Sequence, residues 1–122
     1  MRITRLFTEE SLSPYAAFEF RKTSSEIKNP DGSTVFSLGE MEVPSDWSQV
    51  ACDVLAQKYF RKAGVPAKLK KIEENDVPSW LWRSAADLDA LGKLPEDQRY
   101  IGEVSAKQGF DRLAGTWCYW GW

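Results

Sequence analysis

The 122-residue chain contains no histidine. That absence removes the side chain that titrates nearest neutral pH, the Ser/His and Cys/His nucleophile pairs, and the commonest metal ligand. Cysteine is scarce too, with Cys52 and Cys118 the two present. Two lone thiols without imidazole do not make a structural zinc site, and their spacing shows no disulfide framework. Neither a GxxxxGK[ST] nor a GxGxxG loop occurs, so two common backbone cradles for phosphate are missing. No apolar run is long enough to span a bilayer, and MRITRLFTEESLSPY lacks the apolar stretch of a secretory signal. A basic excess is lacking as well. Sixteen Lys and Arg against eighteen Asp and Glu leave a net charge of −2, the wrong sign for a general nucleic-acid binder. With free thiols and no targeting segment, a cytoplasmic location is the simplest reading.

What is present suits one folded domain. The chain is 43% hydrophobic and 28% charged, which is ordinary for a globular protein. A domain near this length buries roughly two-thirds of its unfolded surface. Residues 1–15 read as an extended arm. From Ala17 onward, Phe18 and Phe20 alternate with Glu19 and Arg21, a strand pattern. Asn29-Pro30-Asp31-Gly32 then supplies turn chemistry: Asn29 can bond the turn backbone, Pro30 presets φ, and Gly32 takes positive φ. Val35, Phe36, Leu38, Met41 and Val43 follow. These features predict an antiparallel β-hairpin over roughly 17–28 and 33–43, resting on helices.

Pro44 closes that hairpin unit. Ser45 or Asp46 is placed to cap a helix carrying Trp47, Val50, Ala51, Val54, Leu55 and Tyr59 on one face, with Arg61 and Lys62 in its last turn. Gly64 and Pro66 end it. Residues 67–76 read as a charged connector. A second short helix is expected after Pro78, capped by Ser79, carrying Leu81, Ala85, Leu88 and Leu91, and bounded by Gly92 and Pro95. A third runs from about Glu103 through Ala106, Phe110, Leu113, Ala114 and Trp117. Gly109 and Gly115 weaken it by roughly 1 kcal/mol each, which predicts a close neighbour at those positions. The fold class is therefore α+β: a two-stranded antiparallel hairpin on about three α-helices. The organisation is one domain, with an arm at 1–15, the hairpin at 16–44 and a helical part at 45–122. The predicted internal core is Trp47, Val50, Val54, Leu55, Leu81, Phe110 and Leu113.

Candidate chemistry is thin. Tyr59, Arg61, Trp80 and Arg83 interleave rings and cations, as a single-strand binder would, but helical phase and negative net charge favour rings facing the core and cations facing water. Glu73, Glu74 and Asp76 form an acidic run that fits no EF-hand spacing and reads as a solvated face. Cys118 has no evident cation to activate it, and Cys52 reads as a small packing residue. No catalytic, cofactor-binding or metal-binding residue is assigned. The segment GTWCYWGW is the informative one. An aromatic side chain buries roughly 150–250 Å² when packed, and Trp117, Tyr119, Trp120 and Trp122 crowd into a terminal segment, where chains are usually polar.

The stretches SPYAAFEFRKTSSEIKNPDGSTVF, VPSDWSQVACDVLAQKYFRKAGVP, VPSWLWRSAAD and AKQGFDRLAGTWCYWGW occur in order. Together they resemble the N-terminal region of adenosylcobalamin-dependent, class II ribonucleotide reductases. Lys28 stands where the family pattern has arginine, Cys52 and Cys118 stand at threonine positions, and Gly109 replaces an apolar residue. The resemblance implies a non-catalytic N-terminal scaffold. Its partner would be the remainder of the reductase chain, an α/β barrel to which Trp117, Tyr119, Trp120 and Trp122 are candidate contacts. It also implies that the full-length enzyme converts ribonucleotides to 2′-deoxyribonucleotides by a thiyl-radical mechanism. Adenosylcobalamin, nucleotide substrate and effector would be bound in that enzyme and not by these residues; neither membrane nor nucleic acid is an expected partner. The alternative left open is an independent protein-interaction module that uses the aromatic tail.

Overall fold

The structure is a computed structural model that describes residues 4–122. Its first unit is the expected hairpin, β1 (Phe20–Lys28) against β2 (Thr34–Pro44), antiparallel. The turn forms as its residues dictate. The Gly32 N–H donates to the Asn29 carbonyl at 2.9 Å, Gly32 takes φ +89°, and Asp31 Oδ1 accepts from the Ser33 N–H and hydroxyl at 2.9 and 2.6 Å.

Strand β2 carries an extra residue twice, because its register to β1 slips between Thr23 and Ser25 and again between Ile27 and Lys28. The first slip, around Gly39 and Glu40, explains its apolar pattern. Phe36 and Leu38 alternate, then Met41 and Val43 alternate out of step with them, yet all four contribute to one core. A bulge adds one residue, and one residue reverses the facing of everything beyond it.

Helix α1 (Gln49–Val54) is capped by Ser48, whose side chain accepts from the Ala51 N–H at 3.2 Å. The cap is thus Ser48 rather than Ser45 or Asp46, and Trp47 lies ahead of the helix. A π-helical turn, Leu55–Tyr59, follows, and the Phe60 N–H donates to the Leu55 carbonyl five residues back at 3.0 Å. The chain is extended by Phe60, so Arg61 and Lys62 lie outside the helix, and Lys58 is the cation in its last turn. The wide turn drops Phe60 into the core beside Leu55 and Ala56.

Residues 45–122 also hold four short strands. β3 (Val65–Pro66) pairs with β6 (Tyr100–Ile101), and β4 (Leu69–Lys71) with β5 (Ser84–Ala86), both antiparallel. The expected helix after Pro78 is replaced by a 3₁₀ turn, Ser79–Leu81, then β5, then α2 (Leu88–Gly92). Asp87, not Ser79, is the helix cap, accepting from the Ala90 N–H at 3.1 Å. Nonlocal partners override helical spacing here. The Ile72 N–H donates to the Arg83 carbonyl, and Lys71 Nζ to the Trp82 carbonyl at 2.8 Å.

Helix α3 (Ala106–Gly121) completes the fold. The core lies between the hairpin, α1 with its π turn, and the start of α3: Met41, Val43, Cys52, Leu55, Ala56, Phe60 and Ala106. Of the core read from the sequence, Leu55 and Leu81 are buried and Trp47 is half-buried against the cluster. Val50, Val54, Phe110 and Leu113 are exposed. The first two are displaced because α1 faces the hairpin through Cys52, Leu55 and Ala56; at 100° per residue Val50 and Val54 point the other way.

Gly102 passes directly over the end of the π turn. A Cβ there would sit 2.9 Å from the Lys62 carbonyl oxygen and 3.2 Å from that of Arg61, whereas one on Gly109 or Gly115 meets nothing within 4 Å. The close neighbour expected at Gly109 and Gly115 is therefore at Gly102 instead. Gly102→Ala should lose about 1–3 kcal/mol through overpacking, and Gly109→Ala should gain up to about 1 kcal/mol from helix propensity. Urea unfolding of the two variants measures both; equal midpoints would contradict the assignment.

Candidate interface on the C-terminal helix

The start of α3 is built by local rules. Gln108 Oε1 accepts from the Ser105 and Val104 N–H groups at 3.0 and 2.8 Å, and Ser105 Oγ accepts from the Lys107 N–H at 3.2 Å, a capping box. The Ser105 hydroxyl donates onward to Glu42 Oε1 at 2.7 Å, and the Glu42 N–H donates to the Val104 carbonyl at 2.8 Å. The hairpin therefore holds the helix entrance. Glu42 is kept below its ordinary value first by the Ser105 hydroxyl and then, against its partial burial, by Lys107.

Two further clamps fix one side of α3. Glu103 is buried, and Arg112 grips it with Nε at 2.9 Å and Nη2 at 3.1 Å. The Arg61 N–H adds a bond to Glu103 Oε2 at 3.2 Å, and Arg112 Nη2 also reaches the Tyr59 carbonyl at 3.1 Å. Burial pushes the Glu103 carboxyl up, and the Arg112 fork, the Arg61 N–H and the nearby positive charges more than reverse it, so it titrates below its ordinary range. On the arm, the Tyr15 hydroxyl donates to Asp111 Oδ1 at 2.7 Å. Burial and that bond push Tyr15 well above the usual phenol range.

Near its far end, α3 is held by the loop between β4 and β5. Tyr119 OH donates to Glu74 Oε1 at 2.7 Å, and Trp122 Nε1 to the Asp76 carbonyl at 2.7 Å. Glu74 also accepts from Arg83 Nε at 2.8 Å and from the Arg83 N–H at 3.0 Å. The Arg83 N–H, the Tyr119 hydroxyl and the Arg83 guanidinium hold Glu74 below its ordinary value. The acidic run is thus not a solvated face throughout: Glu74 is a hub, with only 12% of its side chain exposed. No group of His, Cys, Asp and Glu that could hold a metal ion occurs among the described residues.

Every clamp lies on one half of the helix. With 100° per residue, and Phe110 set at zero, Lys107, Asp111, Trp122, Tyr119 and Arg112 fall between about 60° and 200°. Phe110, Leu113, Trp117 and Trp120 fall inside an arc of about 80° on the other side. Ala106 belongs to that arc too, and it is fully buried in the core. Along the arc exposure rises steadily: Ala106 0%, Phe110 37%, Leu113 44%, Trp117 65%, Trp120 77%. The apolar face that begins inside the domain continues past its edge. Those four side chains leave on the order of 400 Å² open, the size of the largest apolar patch on a typical monomer, which is often functional.

The four aromatic residues singled out in the sequence therefore divide. Trp117 and Trp120 are open; Tyr119 is half-buried and bonded; Trp122 is exposed but tied through its indole N–H. The patch gains Phe110 and Leu113, whose spacing predicts core positions. Their 3–4 spacing was the visible signal, and what it could not show is that the core stops near Ala106. Tyr59 and Trp80 are exposed rather than core-facing, and Arg83 is engaged by Glu74. Cys52 is buried in the core and Cys118 is exposed. No helix among the described residues is long and apolar enough to cross a membrane.

Comparison with known proteins fits this arrangement. The family described as "Class II vitamin B12-dependent ribonucleotide reductase" matches residues 21–122. The vitamin B12-dependent ribonucleotide reductase of Bradyrhizobium diazoefficiens is 66% identical over 122 residues, covering 100% of this chain and 10% of that protein. That of Agrobacterium fabrum is 68% identical with the same coverage. The Rhodopirellula baltica protein of that name is 35% identical over 52 residues, 43% of this chain and 5% of its own length. The chain thus spans about a tenth of the first two relatives.

The Glu103–Arg112 pair yields a pH prediction. A carboxyl held low in the folded state adds stability that is full above its unfolded value, about 4.3, and is lost as pH falls through the lower folded value. Glu103→Gln should cost about 2–4 kcal/mol at pH 7, by leaving Arg112 without its counter-charge. It should also flatten the acid limb of the stability curve, with Glu42 supplying part of the remaining slope. Urea unfolding between pH 3 and 7 tests this; an unchanged acid limb would refute it.

Proposed function

The chain belongs to the class II vitamin B12-dependent ribonucleotide reductase family, and we propose that it serves as the N-terminal scaffold domain of such an enzyme, residues 1–122 acting as one unit. The larger reductase would convert ribonucleotides to 2′-deoxyribonucleotides by thiyl-radical chemistry, with adenosylcobalamin supplying the radical. These 122 residues would contribute packing and orientation, not catalysis. The observation that carries this reading is the continuous apolar arc of α3, buried at Ala106 and open at Trp120. A face that is core at one end and bare at the other is half of an interface, and the clamps on the opposite side aim it.

We infer that the cofactor is held elsewhere in the reductase. A cavity of about 260 Å³ beside the arm and one of about 90 Å³ beside Glu103 both fall below the roughly 300–1,000 Å³ of ordinary small-molecule pockets. The sequence has no histidine to ligate a metal. Adenosylcobalamin, nucleotide substrate and effector are accordingly assigned to the remainder of the reductase, and the partner of the α3 arc to that same polypeptide. A cytoplasmic setting suits the free thiols.

A split-protein experiment tests the assignment. The Bradyrhizobium reductase lacking its matching 122 residues is mixed with this chain, adenosylcobalamin and a dithiol. The chain alone should reduce no nucleotide, and the mixture should bind. Trp117→Ser and Trp120→Ser should each weaken association by about 30-fold, as buried aromatic anchors do, while shifting the chain's own stability by less than about 0.5 kcal/mol. Association indifferent to both substitutions would remove α3 as the interface. Binding to an unrelated protein instead would favour the free-standing interaction module.

A further inference from the structure

The 260 Å³ cavity lies where the arm, the hairpin and α3 meet, and five of its walls are aromatic: Tyr15, Phe18, Phe20, Trp47 and Phe110. The rings stand in two edge-to-face pairs. Tyr15 and Phe20 have centroids 5.8 Å apart and planes at 83°; Trp47 and Phe110 are 5.9 Å apart at 81°. Each pair turns faces in perpendicular directions. The single charged side chain in the lining is Asp46, which is exposed and forms no salt bridge among the described residues.

Ring faces carry negative potential, and several of them beside a carboxylate form an environment for a cation. The chain already uses two of these rings in that way. Lys107 Nζ stands 4.3 Å from the centre of Phe20 and 5.7 Å from that of Tyr15, and Glu42 at 3.5 Å balances its charge. Asp46 has no such balance. The walls are held in place independently of any ligand. Arg21 Nη2 donates to the Trp47 carbonyl at 2.8 Å, and Tyr15 is bonded to Asp111.

We propose that this cavity is a socket for an arginine side chain, its guanidinium stacked on the walls that Lys107 does not face, Phe18, Trp47 and Phe110, and facing the Asp46 carboxylate. Guanidinium suits the place better than ammonium because it is planar, stacks on rings and pairs with a carboxylate through two parallel N–H groups. The arginine belongs to the reductase polypeptide that covers α3. Phe110 is both a wall of the socket and the first open residue of the α3 arc, so a chain lying on Trp117, Trp120 and Leu113 reaches the socket without a break. The source of the arginine rests on the interface reading above; the chemistry of the socket does not.

The test therefore uses the isolated socket ligand on this chain alone. N-acetyl-arginine amide is titrated while the indole resonances are followed by NMR. The Trp47 signal should shift and saturate in the range of about 1–10 mM, with Trp117 and Trp120 unmoved. The citrulline analogue, of the same shape without the charge, should bind at least about fivefold more weakly. Asp46→Asn, an exposed change whose fold is checked by the unchanged Trp47 resonance without ligand, should weaken the arginine derivative by about fivefold. Equal binding of the citrulline analogue, indifference to Asp46→Asn, or no shift of Trp47 would each overturn the socket. None of these outcomes touches the association measured with the α3 variants, so the two readings fail separately.

Discussion

The carboxylate of Glu103 is withdrawn from water and then satisfied on both oxygens, by the Arg112 fork and by the backbone N–H of Arg61. Desolvating a charge costs several kcal/mol unless geometry and partners repay it, so this arrangement tolerates little displacement. It joins the end of the π turn to the second turn of α3. Gly102, next to it, allows the two backbones to approach that closely. Fixing residue 112 to residue 103 sets which side of α3 turns toward the domain. The arc with Phe110, Leu113, Trp117 and Trp120 starts in the core at Ala106 and opens progressively beyond it.

How far the sequence disclosed this depends on the range of the forces involved. The Asn29–Gly32 turn was legible because its determinants lie within five residues: a fixed proline φ and a glycine at positive φ, although the side chain that bonds the turn backbone is Asp31 and that of Asn29 donates to the Ser33 hydroxyl instead. The existence of α1 and α3 was legible from apolar spacing. The facing of α1 was not, since Val50, Val54 and Leu55 all fit a helical stripe, and only packing against the hairpin selects Cys52, Leu55 and Ala56. The π turn then alters the phase, so Phe60 rather than Tyr59 reaches the core. Strands β4 and β5 were hidden for another reason. LKK and SAA are too short for a periodic signal and are held together by bonds from residues 68–74 to residues 82–87.

The open face of α3 was half legible. Composition pointed to the aromatic cluster, and resemblance pointed to a missing partner, but neither could sort the rings. Sorting depends on polar groups far away in the chain. Glu74 and the Asp76 carbonyl capture the hydroxyl of Tyr119 and the indole N–H of Trp122. A ring bonded by its polar atom is oriented by this chain and adds rigidity; a ring with no such tether is free to supply burial to a partner. Phe110 and Leu113 show the converse error. Their spacing says only that they share a face with Ala106, and the extent of the core decides the rest.

This division has a physical consequence for assembly. Polar clamps on one side of α3 cost ordering entropy during folding of the domain itself, so that cost is not repeated when a second surface arrives. On the proposed reading, the apolar arc would contribute affinity in proportion to area removed from water, at about 25 cal/mol per Å², with no orientation of its own. Orientation has to come from the clamps behind it and from directional contacts at its margin. The Phe110 end of the arc borders a cavity where aromatic rings meet the Asp46 carboxylate, which forms no salt bridge among the described residues. A nonspecific stripe that runs into a directional socket would let burial supply the strength of docking while the socket fixes its register.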